Sequence, residues 1–562
     1  MIISNISLQD YFLMEIKKLI NNNKIDQAIK LLESKITNNK NNIPYICELF
    51  MLYVKVKEND KALHLINNSL KNFPNDINLL TLLSNFYFNN HTVYADELIN
   101  LYLRMISLGQ KDPLIYYRLS FLYTNKLDEE NSRKFFYLAY DANKKSPKFN
   151  LLLQYSIISS ILFQFNYLRR QNFYQLYYDK LKEFSELNLE FVNKYQTHRK
   201  ENKKIRLGFV SGDFRDHPVG IFIKSLLKNL TKNKYEIYLY STVVKEDEYT
   251  KNIKQYCDKY TYVNLAQSYI SSQNIYNDNI DILFDLSGHT AHNGLILFKY
   301  KPAPIQISWL GYFSSTGIQE MDYFLTSEYC VLPEEEKFFT EKVLKLPNSH
   351  LSYDFSEYSV EKTQTYPFEK NNYFTFGVFQ SLNKIHKEDM ILWKYIFNYF
   401  PSTKIILKAP GLSKENTKQE FINKLIDLDI DINKIEFRGM TSFQEHLKQH
   451  NDVDIMLDLY QVSGCTTTCQ SLYMGVPVMT LSGYSMTTRY GEQFNKILKL
   501  ENFIAPNIES FIKKLQIILE NKNELKIIKD SLRNKVLNSS IGNTKAFVND
   551  FESVIDDLIV KN

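Results

Sequence analysis

Cysteine is scarce in this 562-residue chain: five residues, at positions 47, 257, 330, 465 and 469. An odd, scattered set excludes the disulfide framework of a small secreted protein. No apolar run reaches the roughly 18–20 residues that a bilayer span requires. The longest candidate, "YSIISSILFQFNYL" (155–168), is short and broken by polar residues. The first residues, "MIISNISLQDYFLMEIKKLI", carry acids and lysines where a signal peptide needs an uninterrupted apolar core. Neither sign of charge dominates. Sixty-eight Lys and Arg stand against 63 Asp and Glu, a net charge of +5, small for this length. That argues against the concentrated basic face of a dedicated nucleic-acid binder. The expectation is a cytoplasmic protein with neither a membrane nor a nucleic acid as partner.

What is present reads as globular. Hydrophobic residues make up 44% and charged residues 23%. The length exceeds one ordinary core and predicts two to four domains. The 40 Tyr and 38 Phe are spread evenly among many Asn, Lys and Ile, so the aromatic content reads as compositional drift without functional weight.

The first 160 residues are helical and repetitive. "KIDQAIKLL" from Lys24, "ENDKALHLI" from Glu58, "HTVYADELI" from His91 and "DEENSRKFF" from Asp128 place the small residues Ala28, Ala62, Ala95 and Ser132 in similar settings. Their spacings are 34, 33 and 37, and prolines 44, 74, 113 and 147 punctuate the same units. A period near 34 with a small residue where two helices meet predicts tetratricopeptide-like hairpins over 1–164. Residues 165–203, ending in increasingly charged helix, read as a connector.

At Ile205 the texture changes to short β-rich runs alternating with helical segments. The first series is "IRLGFVS" (205–211), "YEIYLYST" (235–242), "DILFDLSG" (281–288), "PIQISWLG" (304–311), "MDYFLTS" (321–327) and "KVLKLP" (342–347). The second is "YFTFGVFQ" (373–380), "TKIILKAPG" (403–411), "KIEFRGM" (434–440), "VDIMLDL" (453–459) and "VPVMTL" (476–481). Several are apolar on both faces, as strands of a buried parallel sheet must be. Two successive series predict two doubly wound domains facing each other across a cleft, 204–365 and 366–535. A C-terminal helix, 536–562, is expected to pack back onto them.

The stretch "GCTTTCQSLYMGVPVMTL" (464–481) lies between a strand and the next strand. Its threonines therefore fall at a helix start on the carboxyl edge of a sheet, with Gly475 as the helix's C-terminal cap. Unpartnered N–H groups and the helix dipole favour an anion there. The hydroxyls of Thr466, Thr467 and Thr468 can add donors, and Gly464 lets the backbone approach closely. A diphosphate is the natural ligand; simple helix capping is the alternative. Cys465 and Cys469 lack the second Cys/His pair of a structural zinc site and the spacing of a redox pair. Lys384, just beyond the first strand of the second domain, can pair with the same diphosphate as a leaving group. "FVSGDFRDHPVG" (209–220) offers Asp213, Asp216 and His217 at the facing sheet edge, where His217 can act as base or hydrogen-bond donor. "DLSGHT" (285–290, with His289) and "LGYFSSTG" (310–317) add Gly-, Ser- and Thr-rich edges.

In this order the motifs resemble the nucleocytoplasmic O-linked N-acetylglucosamine transferases and their bacterial relatives, a group that includes the plant SPINDLY-type O-fucosyltransferases. The resemblance covers about residues 155–510 through "GFVSGDFRDHPVG", "DLSGHT", "KPAPIQISWLGYFSSTG" with "MDYFLTS", "FQSLNKI", "SFQEH" before "DVDIMLDL", and the 464–481 stretch. It implies a GT-B fold behind helical repeats and inverting, metal-independent transfer of a sugar from a nucleotide-sugar. No cofactor is implied. The implied partners are a UDP-sugar, or a GDP-sugar, and a protein acceptor held along the repeats; a homodimer is also expected. By position, Lys384 would stabilise the pyrophosphate leaving group and Thr466 and Thr467 would bind the phosphates. His446 would line the nucleotide pocket together with Ser381, Thr441, Gly464, Cys465 and Gln470. His217 and Asp216 would stand by the sugar and the attacking hydroxyl, and His289, Gly311, Tyr312, Thr316 and Gly317 would border the sugar and acceptor.

The sequence departs from the family pattern in four places. Gln470 replaces the acidic residue that contacts the ribose. Cys465 stands where the animal enzymes have histidine, and Ser381 where they have glutamine three residues before the lysine. "GMTSF" (439–443) differs from their base-reading loop. The expected activity is transfer of a sugar, N-acetylglucosamine first, to Ser or Thr hydroxyls of a protein. The alternatives are O-fucosyl transfer from GDP-fucose, N-glucosyl transfer to Asn in adhesins, and a catalytically dead repeat scaffold. Joint retention of Lys384, Thr466, Thr467 and His217 argues against the last.

Overall fold

The protein is described by a computed structural model covering residues 8–38, 42–89, 91, 94–126, 128–146, 151–165, 172–185, 194–198 and 204–561. The chain divides into two compact units, Met1–Asn150 and Leu151–Asn562.

The first unit is built of helical hairpins. Among its described residues eight helices occur, paired as Leu8–Asn21 with Ile25–Asn38, Ile43–Lys55 with Asn59–Asn72, Ile77–Phe88 with Ala95–Ser107, and Pro113–Asn125 with Glu129–Lys144. Local chemistry sets the phase. Asn42, Asp76 and Asp112 each accept a hydrogen bond from the first turn of the helix that follows, and Pro44 and Pro113 sit in first turns where a missing N–H costs nothing. The fourth position of the second helix in each pair packs inward: Ala28, Ala62, Leu98 and Ser132 are all within 1% of complete burial. The third of these replaces Ala95, which lies half-buried at its helix start. The repeat is thus 34, 36 and 34 residues (28, 62, 98, 132). A small-residue search misses it because this hairpin fills the position with leucine. Pro147 lies outside the described residues.

The second unit holds two parallel sheets. The first runs β1 (Ile205–Ser211), β2 (Tyr235–Ser241), β3 (Lys259–Tyr262), β4 (Ile282–Asp285), β5 (Ile305–Ser308), β6 (Tyr323–Ser327) and β7 (Lys342–Leu346), ordered β3-β2-β1-β4-β5-β6-β7. The second runs β8 (Phe374–Phe379), β9 (Thr403–Lys408), β10 (Ile435–Arg438), β11 (Ile455–Leu457), β12 (Val478–Leu481) and β13 (Ile504–Ala505), ordered β10-β9-β8-β11-β12-β13. Each order reverses direction once, between its first and fourth strands. At such a switch point the crossovers diverge to opposite faces and leave a crevice at the carboxyl ends. The central strands β4, β5, β8 and β11 are buried throughout, which is why they read as largely apolar without a polar face. Strands β3 and β13 escaped the sequence reading. The first is a half-exposed edge strand, "KYTY", and the second is two residues long.

Two expected boundaries move. Helix Leu151–Phe165 belongs to the second unit, so the repeats end at 150, not 164. It is a core helix in which Tyr155, Ile157, Ile158, Ile161 and Leu162 are buried. No helix among the described residues is long and apolar enough to cross a membrane. The expected connector also contains a bracing helix, Phe173–Ser185. Its Tyr177 hydroxyl pairs with that of Tyr312 at 2.6 Å and donates to the Ser315 carbonyl at 2.8 Å. At the far end, residue 536 lies inside helix Lys522–Asn538, and the break falls at 539–543. The last helix, Thr544–Lys561, then returns to the first sheet. Phe551 meets Trp309 and Phe284 there, with ring centroids 5.4 and 5.8 Å apart.

Candidate active site

The carboxyl edges of β1 and β4 and of β8 to β11 border one cavity of about 660 Å³. That volume lies in the range of small-molecule and cofactor sites, roughly 300–1,000 Å³. Both switch points open onto it. Asp216, His217, Gly311, Ser381, Lys384, Thr441, His446, Cys465, Thr466 and Thr467 line it, brought together from sequence positions more than two hundred residues apart.

The anion end is assembled around helix Thr466–Tyr473. Its approach loop is pinned by Asp458, a buried carboxylate just after β11. Asp458 accepts from the Gly464 N–H at 2.7 Å, the Leu459 N–H at 3.0 Å, the Ser463 hydroxyl at 2.5 Å and the Thr480 hydroxyl at 2.9 Å. Four donors on one carboxylate fix where the helix begins. At Gly464 a side chain would meet Gln380 Nε2 at 2.5 Å and Thr467 Oγ1 at 2.8 Å, so only glycine fits under that crossing. Cys465 takes the N-cap position without a side-chain cap bond, leaving the first-turn N–H groups to the cavity. Gly475, at φ +77°, ends the helix as expected of a C-terminal glycine.

Of the three threonines, Thr466 and Thr467 face the cavity, while Thr468 is buried and its hydroxyl donates back to the Gly464 carbonyl at 2.8 Å. The third threonine is thus a backbone tie and not a ligand donor. Gln380 donates its amide N–H to Thr467 Oγ1 at 2.8 Å, orienting that hydroxyl's own proton away from it. The resemblance pointed to Ser381, but Gln380, one residue earlier, carries an amide into the site.

Lys384 lines the cavity from a short turn, Leu382–Lys384, after β8. Its ammonium makes no hydrogen bond or ion pair among the described residues. Burial lowers its pKa from the ordinary lysine value, opposed by nearby Cys465 and Asp458. A partly buried cation beside a helix N-terminus, with no carboxylate on it, is arranged for an external anion. Burial raises the Cys465 thiol's pKa above the ordinary value, which keeps it neutral there.

On the facing edge His217 caps helix Pro218–Asn229. Its Nδ1 accepts the Val219 N–H at 3.3 Å and stands 3.6 Å from Asp213 Oδ2. Accepting at Nδ1 assigns the neutral ring's proton to Nε2, on the other side of the ring from the helix start. Burial holds its pKa below the ordinary histidine value. Asp213 opposes this, and Arg215 and Lys384 push the same way as burial.

The other expected residues stand behind the wall. His289 is 2% exposed, with Nδ1 on the Ser159 hydroxyl at 3.0 Å and Nε2 on the Thr316 carbonyl at 2.8 Å. Tyr312 is buried against Tyr177, and Thr316 and its neighbour Gly317 are buried beside Glu341, which accepts from the Thr316 N–H at 2.7 Å. These residues shape the Gly311 loop and do not line the cavity. Gln470 is also buried. Its Oε1 pairs with His446 Nε2 at 3.2 Å and its Nε2 donates to the Tyr353 hydroxyl at 3.0 Å. The amide expected at a ribose instead holds His446 in place. Residues the sequence did not single out also line it, among them Gln380, Lys408, Phe443 and Tyr490. For Lys408 a signal was present, a lysine ending a strand whose last four residues are buried.

Residues 171–362 and 356–551 match glycosyl transferase family 41 over two adjoining segments. The chain belongs to glycosyl transferase family 41. Similar proteins include tomato (Solanum lycopersicum) "probable UDP-N-acetylglucosamine–peptide N-acetylglucosaminyltransferase SPINDLY", 28% identical over 387 residues, 68% of this chain and 41% of that protein. The Arabidopsis thaliana protein of the same description is 29% identical over 357 residues, 62% of this chain and 39% of that one. The chain thus spans about two-fifths of the length of these relatives. Among solved structures, a mutant Thermobaculum terrenum O-GlcNAc transferase superposes with a TM-score of 0.77 at 21% identity, over 94% of this chain and 97% of that one. It shares the fold of helical repeats followed by two Rossmann-like domains, the GT-B arrangement of this family 41 chain.

Proposed function

We propose that this protein is an inverting glycosyltransferase that moves a sugar, N-acetylglucosamine, from a nucleoside diphosphate to a Ser or Thr hydroxyl of a protein held along the helical repeats. The observation that carries the reading is Lys384, a cation without an ion-pair partner among the described residues, beside the N-terminus of helix Thr466–Tyr473 in a cavity bordered by both sheets.

Transfer breaks the bond between the anomeric carbon and the diphosphate oxygen, so negative charge grows on the leaving diphosphate. Fixed donors aimed at that charge stabilise the transition state more than the ground state. The Lys384 ammonium, the first-turn N–H groups and the Thr466 and Thr467 hydroxyls supply them, and in this reading no divalent ion is required. The acceptor hydroxyl attacks the opposite face of the anomeric carbon as the bond to the diphosphate oxygen breaks, and its proton is taken up by the departing diphosphate, the base that the reaction itself generates. His217, with its proton on Nε2, donates a hydrogen bond that positions the sugar or the attacking hydroxyl. The names of the SPINDLY relatives support both the donor sugar and the peptide acceptor.

The test is a donor panel. Purified protein is given labelled UDP-N-acetylglucosamine, GDP-fucose and UDP-glucose with a mixed protein acceptor in chelator, and protein-bound label is counted. Label from UDP-N-acetylglucosamine on hydroxyl side chains is expected. No transfer and no donor hydrolysis with any of the three would overturn the reading.

A further inference from the structure

The cavity holds a second lysine besides Lys384, and this one is buried. Lys408, the last residue of β9, is 6% exposed and lines the cavity beside the loop that follows β10. Its ammonium donates to the Gly439 carbonyl at 2.9 Å and to Thr441 Oγ1 at 2.9 Å. No carboxylate stands within ion-pair distance of it among the described residues; neighbouring Arg438 is itself paired with Glu436 and Asp452. An ammonium has three donors and no acceptor. Two are engaged, and the third has no acceptor among the described residues. A buried charge is retained against its desolvation cost only where its donors are answered.

The surroundings identify what answers it. His446, close enough that Lys408 helps lower its pKa, lines the same cavity with Phe443. His446 Nε2 is held by Gln470, and the histidine ring lies 5.7 Å from Phe379 and 6.4 Å from Phe443. Aromatic surface around one strong donor suits a flat heterocycle whose edge carries an acceptor. The anion cradle at Lys384 already provides for the phosphates.

We propose that Lys408 is the residue that reads the nucleobase, donating its third N–H to a ring carbonyl oxygen. This inference rests on the nucleotide-sugar reading above and extends it to the base. A keto base, uracil through O4 or guanine through O6, answers the ammonium. An amino group in that place, as in cytosine or adenine, presents N–H against N–H. The site therefore selects keto-nucleotides over amino-nucleotides, with the lysine as the discriminating group.

Calorimetric binding of UDP, GDP, CDP, ADP and inorganic pyrophosphate to the full chain tests this. Wild type is expected to bind UDP or GDP about 10- to 100-fold more tightly than CDP and ADP, the range for a hydrogen bond to a charged group. Lys408→Met is expected to lose that preference while pyrophosphate affinity stays within about twofold, which also shows that the variant is folded. Thr441→Val, which keeps the ammonium, is expected to retain the preference. A preference that survives Lys408→Met overturns the proposal. So does a parallel loss of pyrophosphate binding in a variant whose thermal unfolding is unchanged, since Lys408 would then be a phosphate contact. Should Lys408→Met fail to fold, Lys408→Arg decides: its longer, forked donor must alter the keto/amino ratio, and an unchanged ratio overturns the proposal. If wild type binds nucleotides without keto preference, this inference alone falls; if it binds no nucleotide, the nucleotide-sugar reading falls with it.

Discussion

Lys384 and His217 act across the same space, and each predicts a distinct kinetic signature. In the proposed mechanism Lys384→Ala removes a donor directed at the leaving group. It is expected to lower kcat by about 10²- to 10³-fold, with a smaller change in KM, read from initial rates over donor concentration. His217 predicts a pH effect. The neutral ring accepts the Val219 N–H at Nδ1. Protonation there sets N–H against N–H and turns the ring towards Asp213. Activity should therefore hold at neutral pH and fall as pH drops through the His217 pKa. Because burial lowers that pKa, the acid limb lies below the ordinary histidine value of about 6.5. A kcat/KM profile places it, and His217→Ala should be slower throughout and lack the limb.

At the scale of an element, helix Thr466–Tyr473 owes its position to the loop before it. Its eight residues are too few to be stable alone. Asp458 gathers Leu459, Ser463, Gly464 and Thr480 onto one buried carboxylate. Asp458→Ala leaves those donors without a partner and is expected to cost about 3 kcal/mol of stability, measured by urea unfolding. Donor affinity should fall too, because the first-turn N–H groups lose their fixed direction. The conservative Asp458→Asn keeps two acceptor positions at one oxygen and should lie between. The helix was legible in sequence because strand, glycine, threonines and Gly475 follow in order. The role of Asp458 was not, since a lone acid ending a strand looks the same whether it faces solvent or four donors.

For the whole second unit, the cavity depends on how the two sheets are held. Arg489, beside the second sheet, forms a bidentate pair with Glu335, beside the first, at 2.6 and 2.5 Å, both side chains being almost fully buried. Gln493 extends the contact, with its Oε1 3.1 Å from His350 Nδ1. Arg489→Met strands Glu335 as an unpaired buried charge and is expected to cost about 3–5 kcal/mol, seen as a lower melting temperature and weaker donor binding. The double variant Arg489→Met with Glu335→Leu should recover most of that stability, because the cost lies in the unpaired charge and not in the lost attraction.

Local chemistry determined a good deal of this protein. Short β-rich runs marked eleven of the strands, the near-34-residue phase marked the hairpins, and glycine, threonine and lysine at strand ends marked the lining of the cavity. These features depend on periodicity and backbone conformation, which neighbouring residues settle among themselves. Tertiary structure decided the rest. It put Leu98 where a small residue was expected, made a supposed connector a brace through Tyr177, moved Gln470 behind His446, and brought Lys408 to the cavity. Each outcome depends on which side chains meet across hundreds of residues, and burial and hydrogen-bond competition at those meetings have no counterpart in local spacing.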